Sequence, residues 1–335
     1  MFSTNLIPNT FGVPPYSPMG GFIALTPLES TLKDIQLILD IVSITNDIVK
    51  NNAKLFKLQK NMSPNTNLAP WVISNPIGDR FKYLSGFVPM DFPRHFQSCE
   101  LHPYINLAIE QIQKCLWYNG QFLPGCNWLD PALLAQQLNQ CIENIRRKGR
   151  ASELKWKVAH NKRKMKKMFK DLHDCAYHVI DQAEQTYVME VIFYQSASPG
   201  LSKQSSRSLH GQTCEALYQF AGAITPHITN AHILSLLAHK ELGFAVHSLL
   251  FINNPRNVNE LQQYLQTIWS QATHNLGQYQ ILGELWLKPS WTVDINGIQQ
   301  TQRLHYLQEM LMAFTLRHAY IPVKASFGGE NIWIG

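Results

Sequence analysis

Twelve basic residues are concentrated in one stretch of the chain, between Arg146 and Lys170. They are Arg146, Arg147, Lys148, Arg150, Lys155, Lys157, Lys162, Arg163, Lys164, Lys166, Lys167 and Lys170, and the stretch has a single acid, Glu153. The rest of the 335-residue chain has 17 basic and 22 acidic residues, so this stretch alone gives the protein its formal net charge of +6. A cationic block of this density attracts a polyanion and releases its condensed counterions, which indicates nucleic-acid binding.

Two aromatic residues, Trp156 and Phe169, interrupt the basic block. They would allow stacking on bases if the nucleic acid is single-stranded. Two other interpretations stay open: the block can be the solvated face of a long helix, or it can lie against anionic lipid. A membrane-surface helix needs a broad apolar face beneath its cations. The densest part of the block, residues 161–167, has only Met165 as an apolar residue, which argues against lipid.

The composition predicts a globular protein without a membrane partner. Hydrophobic residues make up 45% of the chain and charged residues 16%, which excludes wholesale disorder. The N-terminus lacks the pattern of a secretory signal, so we expect a cytoplasmic location. The six cysteines contain no Cys-x-x-Cys pair. Because a zinc site or a redox pair would need closer spacing, the sequence predicts reduced and partly buried thiols.

Residue patterns divide the chain into three parts: 1–145, a helical N-terminal region of unknown role; 146–185, a basic-to-amphipathic helix; and 186–335, an α+β sheet domain. In the second part, the apolar residues from Met165 to Ala183 recur at helical spacing. We therefore expect the apolar half of this helix to pack and its basic half to project. The third part reads β–α–β–β–α–β–α–β, which predicts an antiparallel sheet with helices packed on one face.

Three stretches of the C-terminal part, taken in order, carry a resemblance to a known family. Residues 241–253 (ELGFAVHSLLFIN) are similar to a Gly-Phe-His-x-His strand followed by an apolar run. A helix through Trp269 ends in THNLGQY at residues 273–279, and the tail at 320–328 reads YIPVKASFG. Over roughly residues 165–335 the chain resembles the YagK/YfjJ C-terminal-domain family, also described as inovirus-type replication proteins.

This resemblance implies a DNA-binding, replication-associated protein of a phage, prophage or plasmid-like element, with a rolling-circle-initiator-like fold. In that wider group, two strand histidines hold a divalent metal on the scissile phosphate and a tyrosine attacks phosphorus. The histidine positions fall on Ala245 and His247, and His239 is a candidate second ligand from across the hairpin. Tyr306 and Tyr320 are the candidate nucleophiles. Mg²⁺ or Mn²⁺ would be the cofactor if the protein nicks DNA.

The departures from the family pattern leave the activity open. Ala245 replaces one metal ligand, and Glu309 stands where a lysine often follows the tyrosine. One hypothesis is therefore a degenerate initiator that binds DNA without cutting it. The alternative is a non-enzymatic regulatory or protein-interaction module, in which residues 1–145 form a docking platform for a protein partner.

Overall fold

Helices predominate in the N-terminal part of the protein. The computed structural model describes residues 27–59, 71–86, 100–118, 121–125, 130–195, 206–224, 229–239, 243–255, 257–290, 298–320, 323 and 332–334. Its N-terminal elements are α1 (Pro27–Lys50), β1 (Phe56–Gln59), β2 (Trp71–Ser74), α2 (Pro76–Gly86), α3 (Pro103–Leu116), β3 (Trp117–Tyr118), β4 (Gln121–Phe122) and α4 (Pro131–Gly149). The two short strand pairs, β1–β2 and β3–β4, are both antiparallel.

The remaining elements form a sheet with helices between its strands. They are α5 (Ser152–Ile180), β5 (Thr186–Gln195), α6 (Ser206–Ile224), β6 (Ala231–His239), β7 (Gly243–Asn253), α7 (Val258–Ala272), β8 (Gly277–Leu287), α8 (Ile298–Tyr320) and β9 (Ile332–Ile334). The five strands pair antiparallel throughout, in the order β8–β5–β7–β6–β9. The predicted α+β class, with a helical N-terminal region and an antiparallel sheet, is confirmed.

Helices cover both faces of this sheet, and the prediction of helices on one face is wrong. On one face Phe193 of β5 packs against Phe220 of α6 and Trp269 of α7. On the other face a second buried cluster joins Leu172 of α5 and Phe314 of α8 to the sheet. Because strands β5 and β7 are apolar at almost every position, each has to bury both of its faces.

The N-terminal helices share a buried cluster with the sheet. This cluster includes Ile105 of α3 and Ile142 of α4, and it continues to Val191 of β5 and Leu265 of α7. Removing residues 1–145 would therefore expose apolar surface of the part that remains. Among the described helices, none has both the length and the apolar character that crossing a bilayer requires.

His102 connects the start of α3 to the end of α8. Its backbone N–H donates to the carbonyl of Tyr320 at 3.0 Å, and its Nδ1 accepts from the Tyr104 N–H at 3.2 Å. The imidazole is 5% exposed and packs edge-on against both tyrosine rings. Burial lowers the pKa of His102 from 6.5 to about 4, because a charged imidazolium would lose its hydration there.

His102 should make folding sensitive to moderate acid. The unfolded chain takes up a proton on this side chain below pH 6.5, whereas the folded chain does so only near pH 4. Its contribution is therefore complete above pH 6.5 and is lost as the pH falls towards 4, roughly 3 kcal/mol in all. His102→Asn keeps a side-chain acceptor for the start of α3 and removes the titration. Urea unfolding at pH 7 and pH 4.5 should show a smaller acid-induced loss in the variant, and equal losses in both proteins would contradict this role.

Candidate functional site

The helix α5 turns an apolar stripe towards the protein and its cations towards solvent. Leu154 and Val158 pack against the larger buried cluster, and Met168 and Leu172 belong to the smaller one. In the basic half, the Asn161 Nδ2 donates to the carbonyl of Ala319 on α8 at 3.3 Å. The stripe thus continues through the basic half, which lies along the body of the protein. The expectation that this half projects freely is wrong.

Eight cations of α5 are exposed, and we call them the basic face. They are Lys155, Lys157, Lys162, Arg163, Lys164, Lys166, Lys167 and Lys170. They extend over about 22 Å of helix, and no acidic residue interrupts them in the sequence from Lys155 to Lys170. Lys157 forms an exposed ion pair with Glu153 at 2.6 Å, which is of small energetic value in water. The basic face is therefore an exposed cationic surface to which the intervening sequence contributes no acid.

An exposed aromatic pair lies within the basic face. The rings of Trp156 and His160 stack one helical turn apart, with centroids separated by 5.3 Å and planes inclined by 16°. The Trp156 side chain is 60% exposed, so the indole is accessible to a base or a sugar. Phe169, the other aromatic residue of the block, is partly buried in the smaller cluster and has a packing role.

The other basic residues of the block belong to α4 or to its junction with α5, and most of them have structural roles. Arg146 is 3% exposed; it donates to the carbonyls of Ile48 and Ala53 and pairs with Glu143. Arg150 donates to the Val49 carbonyl at 2.9 Å. These two arginines donate hydrogen bonds to carbonyls at and just after the end of α1, where the helix itself no longer provides N–H donors. Because Arg146 is buried, its predicted role in nucleic-acid binding is wrong, whereas the predicted role of the exposed Arg150 stays a prediction.

Lys148 and Arg147 lie at the same end of α4. The Nζ of Lys148 is 2.8 Å from a carboxylate oxygen of Glu110 on α3, and both side chains are partly exposed. Arg147 is exposed and donates to Asn144 at 3.4 Å. The helix ends at Gly149, and α5 starts at Ser152. A Cβ at Gly149 would lie 2.3 Å from a methyl carbon of Val49, so α1 packs closely against α4 at this point. The predicted helix 146–185 is thus two helices, and only the second carries the basic face.

His247 lies on the sheet face that α5 and α8 cover, and it is fully buried. Its Nε2 is 2.7 Å from a carboxylate oxygen of Glu190 on β5, and its Nδ1 is 3.5 Å from the Nε2 of His318 on α8. The other nitrogen of His318 is 2.9 Å from the hydroxyl of Ser235 on β6. A buried polar chain of four side chains therefore ties three strands to α8.

Tyr306 lies near the Glu190 end of this chain. Its hydroxyl is 3.4 Å from the point where a Cβ on Gly283 would stand, and the other carboxylate oxygen of Glu190 is 3.9 Å from that point. Gly283 thus leaves room for a phenol beside the carboxylate. Tyr306 and His247 are two of the predicted site residues, and both lie near the carboxylate of Glu190.

Tyr320 belongs to a different part of the protein. It lies at the last residue of α8, about 21 Å along the helix from Tyr306. Its ring packs against His102, and burial raises the pKa of its hydroxyl. Tyr320 therefore contributes to packing between α3 and α8, far from Tyr306, and its role as an alternative nucleophile stays a prediction.

The predicted pairing of His239 with His247 is also wrong. In the hairpin, Ser235 is the partner of His247, and His239 is the partner of Gly243. The two histidines are therefore offset by four residues, about 13 Å along the strands. Among the residues that the structure describes, no group of three or more His, Cys, Asp or Glu side chains could hold a metal ion.

Sequence reasoning missed Glu190, His318 and Ser235. Glu190 had a detectable signal, because it is the only charged residue in the apolar strand β5. Ser235 and His318 had none, since their roles depend on strand register and on how α8 lies over the sheet.

Comparison with known proteins identifies no relative of this chain. No protein-family model matches it, and no curated protein or solved structure matches it significantly.

Proposed function

We propose that this protein binds DNA through the basic face of α5. The observation that supports the proposal is the exposure of all eight cations between Lys155 and Lys170, with no acid among them in the sequence. A helix that only needed a solvated face would gain stability from alternating charge signs, since acids one turn away pair with lysines. The uninterrupted positive charge is instead unfavourable for the helix by itself, and a phosphate backbone would relieve that repulsion.

Anionic lipid is a weaker candidate for the partner of the basic face. A helix that lies in a membrane surface inserts its apolar side chains beneath its cations. In α5 the apolar side chains, such as Leu154, Val158 and Leu172, contact the body of the protein. The cations could then contact lipid headgroups, but these apolar side chains would not insert into the membrane. An accessible indole at Trp156 also suits a base better than a lipid headgroup.

Direct binding measurements test this proposal. We expect fluorescence anisotropy to detect binding of the full-length protein to a labelled oligonucleotide, as a single strand and as a duplex of the same sequence. Four to six phosphate contacts would give a slope of roughly −4 to −5 for log K against log salt on the duplex. The exposed Trp156 should make the single strand bind at least as tightly. Absence of binding at low salt, or a slope near zero, would refute the proposal.

We further propose that the protein is replication-associated and that its nicking centre is degenerate. This part depends on the family resemblance, on Ala245, and on the burial of His247, both of whose nitrogens already face Glu190 and His318. An imidazole in that position has no lone pair directed at solvent, where a metal and a phosphate would have to bind. The protein would then hold DNA without forming a phosphotyrosine bond.

The same preparation tests whether the centre is degenerate. We expect no covalent protein–DNA adduct on a denaturing gel after incubation with single-stranded DNA and Mg²⁺ or Mn²⁺. An adduct that Tyr306→Phe abolishes and Tyr320→Phe preserves would instead assign metal-dependent nicking to Tyr306. The alternative function, a protein-interaction module, predicts that neither DNA binding nor an adduct is observed.

A further inference from the structure

The outermost side of α5 combines an aromatic pair with three cations of the basic face. Trp156, His160, Arg163, Lys167 and Lys170 follow one another at intervals of four, three, four and three residues. At 3.6 residues per turn, this spacing keeps all five within an arc of about 80° and gives a row about 21 Å long. All five residues are exposed, and the buried stripe of the helix lies on the opposite side. We call these five residues the outer row.

The two rings at the N-terminal end of the outer row form a flat, oriented surface. The imidazole of His160 stacks on the indole of Trp156, with the planes inclined by 16°. An imidazole can cover only one face of the indole, and 60% of the Trp156 side chain stays exposed. The stack also restricts the rotation of the indole, so less freedom is lost when a ligand binds to it. An accessible indole face in line with phosphate-binding cations suits a nucleobase.

A DNA duplex cannot use this aromatic surface without being disrupted. Its bases are paired and stacked on one another, so a helix that lies along a duplex meets its phosphates. Stacking one base on an aromatic side chain raises the affinity roughly 10-fold to 100-fold. Taking a base out of a duplex lowers the affinity by at least a similar factor, so nothing is gained. The bases of a single strand are already unpaired, and stacking therefore strengthens the binding of single strands alone.

We propose that Trp156 is a stacking site for an unpaired nucleobase, and that the basic face therefore binds single-stranded DNA in preference to duplex DNA. His160 is a positioning residue that orients the indole. The inference rests on the proposed function, because the cations of the basic face have to hold the phosphates. Arg163, Lys167 and Lys170 lie about 10 to 21 Å from Trp156, all towards the C-terminus of α5. The strand thus extends from the stacked base along these cations in one direction.

Salt concentration determines where this preference is largest. The affinity for a duplex falls with a log–log slope of about −0.9 per phosphate contact, and that for a single strand with about −0.7. Stacking involves no counterions, so it persists as the salt concentration rises. We therefore expect the full-length protein to bind a labelled single strand about tenfold more tightly than the duplex of the same sequence at roughly 0.2 M salt.

Substitutions of exposed aromatic residues test the stacking site. Trp156→Ala should weaken binding to the single strand by about tenfold or more and change binding to the duplex by less than about twofold. The salt slope should stay that of the wild type, because no phosphate contact is lost. Trp156→Phe keeps a ring and should recover most of the affinity. Tyr264→Ala is the matched control: Tyr264 is 49% exposed and belongs to α7, on the opposite face of the sheet, so both affinities should be unchanged.

Two further measurements separate stacking from charge. An abasic strand keeps the phosphates and lacks the bases, so Trp156→Ala and the wild type should bind it equally. The intact strand should quench indole fluorescence in the wild type. The chain has eight tryptophans, and the quenching that Trp156→Phe abolishes is that of Trp156. His160→Ala should reduce single-strand affinity and the quenching by about threefold, and His160→Phe should restore both, since a ring again orients the indole.

The outcomes distinguish this inference from the proposed function. If Trp156→Ala binds the single strand like the wild type, or loses affinity equally for strand and duplex, the stacking site is wrong although salt-dependent DNA binding stands. If the wild type binds neither form of DNA at low salt, the proposed function and the stacking site are both refuted. Trp156 and His160 are exposed, so their substitution leaves the buried clusters intact.

Discussion

Replacing Arg163, Lys167 and Lys170 with glutamate is expected to weaken DNA binding by about 100-fold or more. The three residues are exposed and lie on the outward side of α5, where the spacing 163, 167 and 170 keeps them in one row. Loss of three phosphate contacts should flatten the salt dependence of duplex binding by about 2.7 in log–log slope. The introduced carboxylates add repulsion from the phosphates. Anisotropy titrations at several salt concentrations measure both the affinity and the slope.

A matched variant controls for the change in overall charge. Lys54, Lys57 and Lys82 are exposed cations in the β1 and α2 region. Replacing these three with glutamate changes the net charge by the same amount, and their positions lie outside the basic face. This variant should keep most of the affinity and nearly the wild-type slope. If both triple variants lose affinity equally, net charge and not the basic face drives binding, and the proposed interface is wrong.

The position of the basic face could be predicted from the sequence because its signals are local. Charge density identified the stretch, and helical periodicity from Met165 onwards identified the side that packs. The prediction failed where the periodicity is weaker, since Leu154, Val158 and Asn161 continue the stripe with few apolar residues between many lysines. The family resemblance similarly pointed to His247 and Tyr306, which do lie in one neighbourhood. It could not identify Glu190 as their shared neighbour.

The sheet shows which parts of a fold need tertiary information. The run of apolar residues in β5 identified a buried strand, and the same run already indicated that both faces are covered, because a strand with one solvated face alternates. The pairing of His247 with Ser235 in place of His239 depends on the hairpin register, which the loop between β6 and β7 sets. The contact of the Asn144 side chain with the sulfur of Cys115 likewise depends on how α3 crosses α4, and no local pattern encodes it.

The sequence predicts that Arg146 binds nucleic acid because nothing in it distinguishes a buried arginine from its exposed neighbours. Its main partners are the backbone carbonyls of Ile48 and Ala53. Every residue has a backbone carbonyl, so no pattern of residue types in the sequence could reveal this contact. One side of the guanidinium also reaches Glu143, which is mostly exposed. A buried cation with such partners stabilises the fold only while the partners are present, and its removal leaves those acceptors without donors.

Arg146→Met should therefore lower the free energy of unfolding by about 3–4 kcal/mol, since methionine keeps the apolar stem and removes every donor. Arg150→Met is the matched control. Arg150 donates to similar carbonyls at the end of α1 but is exposed, so water replaces it and the loss should be about 1 kcal/mol. Urea unfolding measures both losses.

DNA binding by Arg146→Met separates the two roles of this arginine. At a temperature where the variant remains folded, its slope of log K against log salt for duplex DNA should equal that of the wild type, because the basic face is intact. A stable Arg146→Met protein with a flatter slope would instead return this arginine to the DNA interface.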